Sequence, residues 1–581
     1  AGPRGEEASA AAAGRGPLAG AAEEVDRRGW GHFQTLVVCL LMAASSLFQC
    51  AAMLPNFITA LALVDAQSGA FLREEEACAA TGLLLPHVAI RPEEVLRSFR
   101  AEFELVCAWA WLAPLSGSAF FGGSLLGAAM LAPLADVRGR AFMHRTAVLI
   151  VVLGFCLTAL APTAWAFVAG RLLTGLGLGC EAPTRYILAG ELVPSSSRAS
   201  VNMFLNCASS AGALILCGLA LLVPGHWRTL TLVAGLPLGL GILLSGHYIL
   251  LEPPAFLAIR DPAAVPEALA RMAAWGGHTR PPVPQPQELV NLSATEPGET
   301  SAAVVSIAWE KPKTSTIHQD RDSRKQPAMA SLLCDGRLRF RFLSLLAAWA
   351  VSSHVFYGIS LGASKLLTSK GGNQGGAVLA TALSSAAEVP SYVLSASLAR
   401  SPVLGRKGSL VATLLGCAAG CSVVTQWPTL GIMAAKFFVT AAFALVIVYT
   451  PELFPTSVRG AVLGVLSAGS RASTMLAPAV LALPIGQCFF LFGSLCCLAG
   501  LLVMPLPETL GRPPPETLED LEPAPSSRRA AMPGWSQIAA VVSHCSCGPQ
   551  QCRRRCLRPH ALGGWLWWRH PMREQVHSAL I

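Results

Sequence analysis

Apolar runs of about 20 residues, separated by short polar breaks, dominate the pattern along this chain. The plainest are "TLVVCLLMAASSLFQCAAML" from Thr35, "AVLIVVLGFCLTALA" from Ala147, "LTLVAGLPLGLGILLSGHYIL" from Leu230 and "FFLFGSLCCLAGLLVMPL" from Phe489. Hydrocarbon offers the backbone no hydrogen-bond partner, so such runs read as membrane-spanning helices. The pattern predicts twelve spans, near 34–56, 112–132, 144–161, 164–188, 200–223, 230–250, 342–362, 376–398, 408–425, 429–450, 460–483 and 487–505. The fold class is therefore an all-α polytopic membrane protein.

The polar breaks set the orientation. One alternate set holds Arg138, Arg140, Arg145, Arg198, Arg400, Arg406, Lys407 and Arg459; the other is short and poor in basic residues, as in "APT" at 161–163 and "QWPT" at 426–429. Basic residues stay on the cytosolic side, so the first set and both termini are predicted to face the cytosol, with the plasma membrane as the expected location. The connection at 62–107 then lies outside. It holds Cys78 and Cys107, which either bridge in an oxidising compartment or remain two thiols. The break at 252–341, Pro-rich at "PPVPQPQ" and charged at "HQDRDSRK", separates six spans from six. Its "NLS" at 291–293 matches a glycosylation acceptor, but the predicted side of the membrane forbids its use. The organisation is a disordered cytosolic N-terminus (1–33), a six-helix bundle (34–251), a cytosolic central loop (252–341), a second six-helix bundle (342–506) and a cytosolic tail (507–581).

The halves share a phrase. "ELVPSSSR" at 191–198 and "ELFPTSVR" at 452–459 lie 261 residues apart, each after the fourth span of its half. Together they indicate a duplicated six-helix unit, the plan of many secondary transporters. Glu191, Arg198, Glu452 and Arg459 sit at the water interface. There they either close one face in one conformation and release it in another, or simply anchor the helix ends.

"PLADVRGR" at 133–140 resembles the Gly-x-Leu-x-Asp-Arg-x-Gly-Arg-Arg loop of the major facilitator superfamily, and "SPVLGRKG" at 401–408 resembles its second copy. Within that superfamily the chain resembles solute carrier family 22, the organic cation, anion and zwitterion transporters. "EFELVCAWAWL" from Glu102, "AGRLLTGLGLG" from Ala169, "WAVSSHVFYG" from Trp349, "YTPELFPTSVR" and "LPETLGRPPPETLED" carry the likeness over about 30–520. The resemblance implies the major facilitator fold, twelve transmembrane helices as two six-helix repeats, and adds Asp136, Arg140 and Arg406 to the charge network. Ala132, Val137, Ala141 and Ala255 depart from the family pattern, and these departures resemble its divergent orphan branch.

Substrate chemistry is sought at bilayer depth, where a charge is costly and faces a cavity or a partner. Arg471, in "SAGSRAST", falls well inside the eleventh span. The resemblance implies an anion site there, since anion-transporting members carry a basic residue at this place. The alternative is an ion pair with Glu388 of the eighth span. Tyr392, in "EVPSY", stands where many anion members have a Lys, and Phe356 and Tyr357 resemble the aromatic pair that walls the family's cavity or else pack helices. Glu181 and Arg185, four apart, share a helix face and can neutralise each other.

Composition excludes the remaining classes. Only 13% of residues are charged, against roughly 25% in soluble domains. The net charge of +9 suits basic cytosolic surfaces and requires no nucleic acid. No phosphate-binding Gly-x-x-x-x-Gly-Lys-Ser/Thr loop is present, so ATP drive is not expected. Carboxylates in the spans are few, which points to exchange or facilitated diffusion rather than a proton relay. The tail's "HCSCGPQQCRRRC" matches no zinc spacing and suggests palmitoylation or disorder. No metal, cofactor, enzymatic activity or obligate protein partner is indicated; the partners are the bilayer and a small organic ion. The chain begins at Ala1 rather than Met, which leaves open whether residues precede it. The sequence reads as a transporter of small amphipathic organic anions working by alternating access. The alternative is a receptor or scaffold that keeps the transporter fold without moving solute.

Overall fold

The computed structural model describes residues 24–276 and 336–515, apart from scattered positions between 60 and 96 and the stretches 369–373 and 512–514. The described residues belong to one unit, Ala1–Leu518. The N-terminal 1–23, the Pro-rich stretch with its 291–293 motif and the Cys-rich tail lie outside them.

Helices occupy each of the twelve predicted segments. Spans 1 to 6 are His32–Met53, Leu112–Leu126, Arg140–Ala159, Ala164–Leu192, Arg198–Leu222 and Trp227–Ile249. Spans 7, 9, 10 and 12 are Gly336–Thr368, Gly405–Val423, Pro428–Tyr449 and Ile485–Val503. Spans 8 and 11 are each interrupted, as Gln374–Ala386 with Glu388–Leu398 and as Thr456–Thr474 with Ala477–Val480. Proline explains both breaks. A proline cannot donate to the carbonyl four residues back and its ring clashes with it. Pro390 and Pro478 fall four residues after Ala386 and Thr474, where the first pieces stop.

Eight helices among the described residues are long and apolar enough to cross a membrane by length and composition. Spans 4, 8, 9 and 11 fall short of that measure. Span 4 carries Arg171, Glu181 and Arg185, spans 8 and 11 are broken, and span 9 opens on Arg406 and Lys407. Three of these four hold charges at depth, and Lys436 of span 10 adds another.

Small residues let the helices close on one another. Gly175 of span 4 is pressed so tightly on the Phe120 carbonyl of span 2 that a Cβ would collide with it. The hydrogen bonds described between the halves run from mid-depth toward the end that carries the 62–107 connection. Asn56 donates through Nδ2 to the Ser360 carbonyl (3.0 Å) and Thr381 Oγ1 (3.3 Å), Ser210 donates to Glu388 (2.5 Å), and Cys217 to the Val378 carbonyl (3.7 Å).

The 62–107 connection is not helical throughout. Strands β1 (Leu63–Asp65), β2 (Phe71–Leu72) and β3 (Val88–Ile90) form an antiparallel sheet in the order β2-β1-β3. Cys78 and Cys107 are joined by a disulfide. Glu102 fastens the end of this connection to span 6, accepting from Trp227 Nε1 (2.6 Å) and Arg228 Nη2 (2.5 Å).

Candidate functional site

Charged residues gather at two levels. At the end bearing the basic breaks, each half turns sharply into its third helix at a glycine in the left-handed region, Gly139 (φ 113°) and Gly405 (φ 64°). A side chain there would be strained and would also meet a carboxylate, Glu252 at Gly139 and Glu508 at Gly405. Those carboxylates satisfy the free N–H groups that open a helix. Glu252 accepts from the backbone of Ala141 (3.2 Å) and Phe142 (2.9 Å), and Glu508 from Arg406 (2.9 Å) and Lys407 (3.1 Å). Burial pushes the Glu508 carboxyl up, but backbone donors from Leu510, Arg406, Thr509 and Lys407 outweigh it and hold the group below its ordinary value.

Beside each turn an arginine meets the glutamate of the repeated octapeptide. Arg140 lies 3.2 Å from Glu191 and 3.2 Å from Asp136, with its guanidinium over Phe256 at 4.5 Å. Arg406 pairs with Glu452 in the second half, and Glu452 also accepts from Thr509 (2.7 Å). The octapeptide arginines stand apart from these pairs. Arg198 is exposed and forms no ion pair among the described residues, and Arg459 donates to the Phe454 carbonyl (3.3 and 3.2 Å). Of the charge network expected from sequence, Asp136, Arg140, Glu191, Arg406 and Glu452 are joined by ion pairs among the described residues. A residue seven positions on, across a proline turn, is carried onto the start of the next helix rather than back to its glutamate.

At mid-depth, both carboxylates within the spans are matched by bases. Glu181 accepts Arg185 Nη1 at 2.9 Å on each oxygen. Glu388, 1% exposed, takes Lys436 Nζ at 2.9 Å on one oxygen and Ser210 on the other. Lys436, 0% exposed, also donates to Ser360 Oγ (2.5 Å) and rests 3.1 Å from the centre of the Phe356 ring. The expected alternative pairing of Arg471 with Glu388 is corrected here. Lys436 satisfies that carboxylate, because span 10 packs directly on the second piece of span 8.

Arg471 is half-buried, one turn before the span 11 break. Its Nε donates to Ser124 Oγ of span 2 (3.1 Å) and its Nη1 to Ser467 Oγ (2.8 Å). Nη2 has no partner among the described residues and is not one of the fully buried polar atoms. Tyr357 stacks edge-on to Phe121 (4.9 Å) and Phe356 (5.0 Å). Tyr392 is half-buried, one turn after Glu388 in the second piece of span 8. The arrangement can offer an anion one unfilled guanidinium edge against aromatic walls.

The model of the Major Facilitator Superfamily matches residues 111–430. The chain belongs to that superfamily. Within it the chain belongs to solute carrier family 22. It is 30% identical over 439 residues to a solute carrier family 22 member 15-like protein of Xenopus laevis, covering 73% of this chain and 82% of the relative. It is 31% identical over 442 residues to an organic cation transporter-like protein of Drosophila melanogaster, covering 74% and 73%. Solute carrier family 22 member 6 of Rattus norvegicus is 27% identical, with 72% of each chain covered. Among solved structures, a proton:xylose symporter of the superfamily shares the fold at a TM-score of 0.54 and 17% identity, over 84% of this chain and 99% of that one. The chain is therefore a multi-pass membrane protein of a small-molecule transporter family.

Sequence reasoning passed over Lys436, Ser124, Ser210, His144, Glu252 and Glu508. Lys436 carried a usable signal, as the one basic residue inside the very apolar Pro428–Tyr449. The serines carried none, since a hydroxyl in a span is ordinary and only the packing of the halves gives it a partner.

Proposed function

We propose that the chain moves a small amphipathic organic anion by alternating access, with Arg471 as the anion's anchor. The observation that carries this reading is the charge balance at depth. Glu181 and Glu388 are each matched by a base, whereas Arg471 spends two nitrogens on neutral serines and its Nη2 has no partner among the described residues. A guanidinium in a low-dielectric site attracts a carboxylate or sulfonate strongly and presents it a planar fork. Phe356, Tyr357 and Tyr392 supply the wall for the apolar part of such a substrate. The basic end is the cytosolic one in this proposal, in the plasma membrane with both termini inside, supported by the Lys/Arg asymmetry of the breaks. Arg140 with Glu191 and Arg406 with Glu452 serve as the paired elements that rearrange when this face closes. Membership of the family's divergent orphan branch belongs to the same proposal, supported by Ala132, Val137, Ala141 and Ala255.

An organic cation is the second reading, favoured by the name of the Drosophila relative. Against it stands Glu388, whose two oxygens are already occupied. The test is saturable uptake of p-toluenesulfonate and of tetraethylammonium in cells expressing the chain. Arg471→Ala should lower sulfonate uptake about tenfold or more, the worth of a lost charged hydrogen bond. Arg471→Lys should keep part of it, because charge survives without the fork. Tetraethylammonium uptake with no sulfonate uptake would reverse the sign of the substrate. Surface protein that binds either ion without saturable uptake would favour a receptor or scaffold.

A further inference from the structure

His144 lies in span 3, four residues from its start and 1% exposed, and neither ring nitrogen has a hydrogen-bond partner among the described residues. Buried polar groups are nearly always paired, so an imidazole unpaired at both nitrogens requires a reason. Its Nδ1 stands 3.8 Å from Glu181 Oε1, just beyond hydrogen-bond distance. Glu181 is occupied instead by Arg185, which uses Nη1 alone for both oxygens. The Arg185 Nε is buried without a partner, and its Nη2 has none among the described residues. One carboxylate therefore lies within reach of two bases and holds only one.

We propose that His144 and Glu181 form a proton-binding site whose occupation releases Arg185 to the transported anion. A proton from water binds the ring nitrogen that faces Glu181, and the imidazolium closes onto the carboxylate. Arg185, no longer needed there, turns its guanidinium toward the side of the bundle that holds Arg471, where span 4 packs through Gly179 on Ser124, the residue that accepts from Arg471. The only bond made is N–H, and the proton returns to water when the anion leaves. One proton enters with one anion, so the cluster's charge is unchanged by loading. This deepens the proposed function and rests on its anion reading for the cargo, though not for the proton site. The sparse carboxylates of the sequence gave no hint of a relay because this one needs a single carboxylate and an unpaired histidine.

The groups facing His144 are few. Glu181 and Arg185 come from span 4, and Arg145 acts on the ring from span 3 itself. Arg140, at the start of the helix, is engaged with Asp136 and with Glu191. Span 6 packs on span 3 through Gly235, Gly239 and Gly246, and its His247 and Tyr248 are exposed.

The test uses the full chain reconstituted in liposomes, with p-toluenesulfonate as probe because a sulfonate stays ionised. Lowering the external pH from 8 to 6, with the interior at 8, should accelerate wild-type uptake about tenfold, within the usual range of coupling between two sites. H144Q should remain near the rate measured with pH 8 on both sides. Coupling is reciprocal, so saturating sulfonate should raise the titration midpoint of the His144 ring, assigned by nuclear magnetic resonance from its absence in H144Q. Uptake that ignores the pH gradient, acceleration that survives in H144Q, or a ring midpoint indifferent to sulfonate would each overturn the coupling. If the wild type does not bind sulfonate at any pH, the anion reading fails. The proton site is then judged on R185Q, where an imidazolium at pH 6 keeps it and a neutral ring removes it.

Discussion

At the basic end of the first half, Arg140 holds Glu191 while Glu252 caps the turn at Gly139; in the second half, Arg406 holds Glu452 while Glu508 caps the turn at Gly405. The same four parts serve the same four places. At mid-depth the halves differ. The first pairs Glu181 with Arg185 inside one helix, whereas the second pairs Glu388 with Lys436 across spans 8 and 10 and leaves Arg471 without a carboxylate. The contrast teaches where duplication is constrained. A helix end must satisfy its own N–H groups wherever it occurs, so the capping glutamate and the glycine turn recur. A buried ion pair has no such local obligation, and each half has been free to arrange its own. The consequences also differ, because an intrahelical pair moves with its helix, whereas a pair between helices ties two together.

The largest effect is expected where that tie is cut. Glu388→Gln leaves Lys436 charged and enclosed, and breaking a buried pair costs about 3–5 kcal/mol. The melting temperature of the purified protein should fall sharply, and the double variant Glu388→Gln with Lys436→Met should recover most of it. Glu181→Gln should cost less, because Nη2 of Arg185 is not fully enclosed. Equal losses from the two single variants would erase the distinction between an intrahelical and an interhelical pair.

A smaller effect tests the likeness at the edge. Gly139→Ala and Gly405→Ala each place a side chain in the left-handed region, at about 1–2 kcal/mol, and push on the capping glutamate. The two should lower the melting temperature by similar amounts. A loss confined to one half would show that the turns are alike in shape but unequal in load.

The smallest effect is a pH dependence. The Glu508 carboxyl titrates below its ordinary value of 4.5 in the folded protein. A depressed carboxylate contributes stability that is present above its unfolded value and lost as pH falls through its folded one. Glu508→Gln should therefore lower the melting temperature at pH 7, and the gap from wild type should narrow as pH falls below 4.5. A gap that stays constant to pH 3 would mean that the side chain acts by shape rather than charge.

The membrane architecture was legible in hydropathy because a bilayer demands long apolar helices whatever their neighbours. Even the two broken spans had their signal, in Pro390 and Pro478. The candidate site was legible only as isolated oddities. Arg471 stood out as a guanidinium in an apolar run, but nothing in its neighbourhood in sequence pointed to Ser124, 347 residues away. Glu388 stood out equally, with Arg471 as one alternative partner, but its base is Lys436. Only the packing of span 10 on span 8 decides between Arg471 and Lys436 as its partner.

By itself, then, the sequence determined the spans, their repeat and the residue types that would be costly at depth, since these depend on chain-local physics: helix length, proline breaks and the price of a charge in hydrocarbon. Only the tertiary structure decided which charges cancel. Pairing requires contact within about 4 Å, and residues from different spans reach that range only after the helices pack, within each half and between the halves. It is this packing that leaves Arg471 with a free edge, Lys436 sealed against Glu388 and Phe356, and His144 beside a carboxylate held by another base.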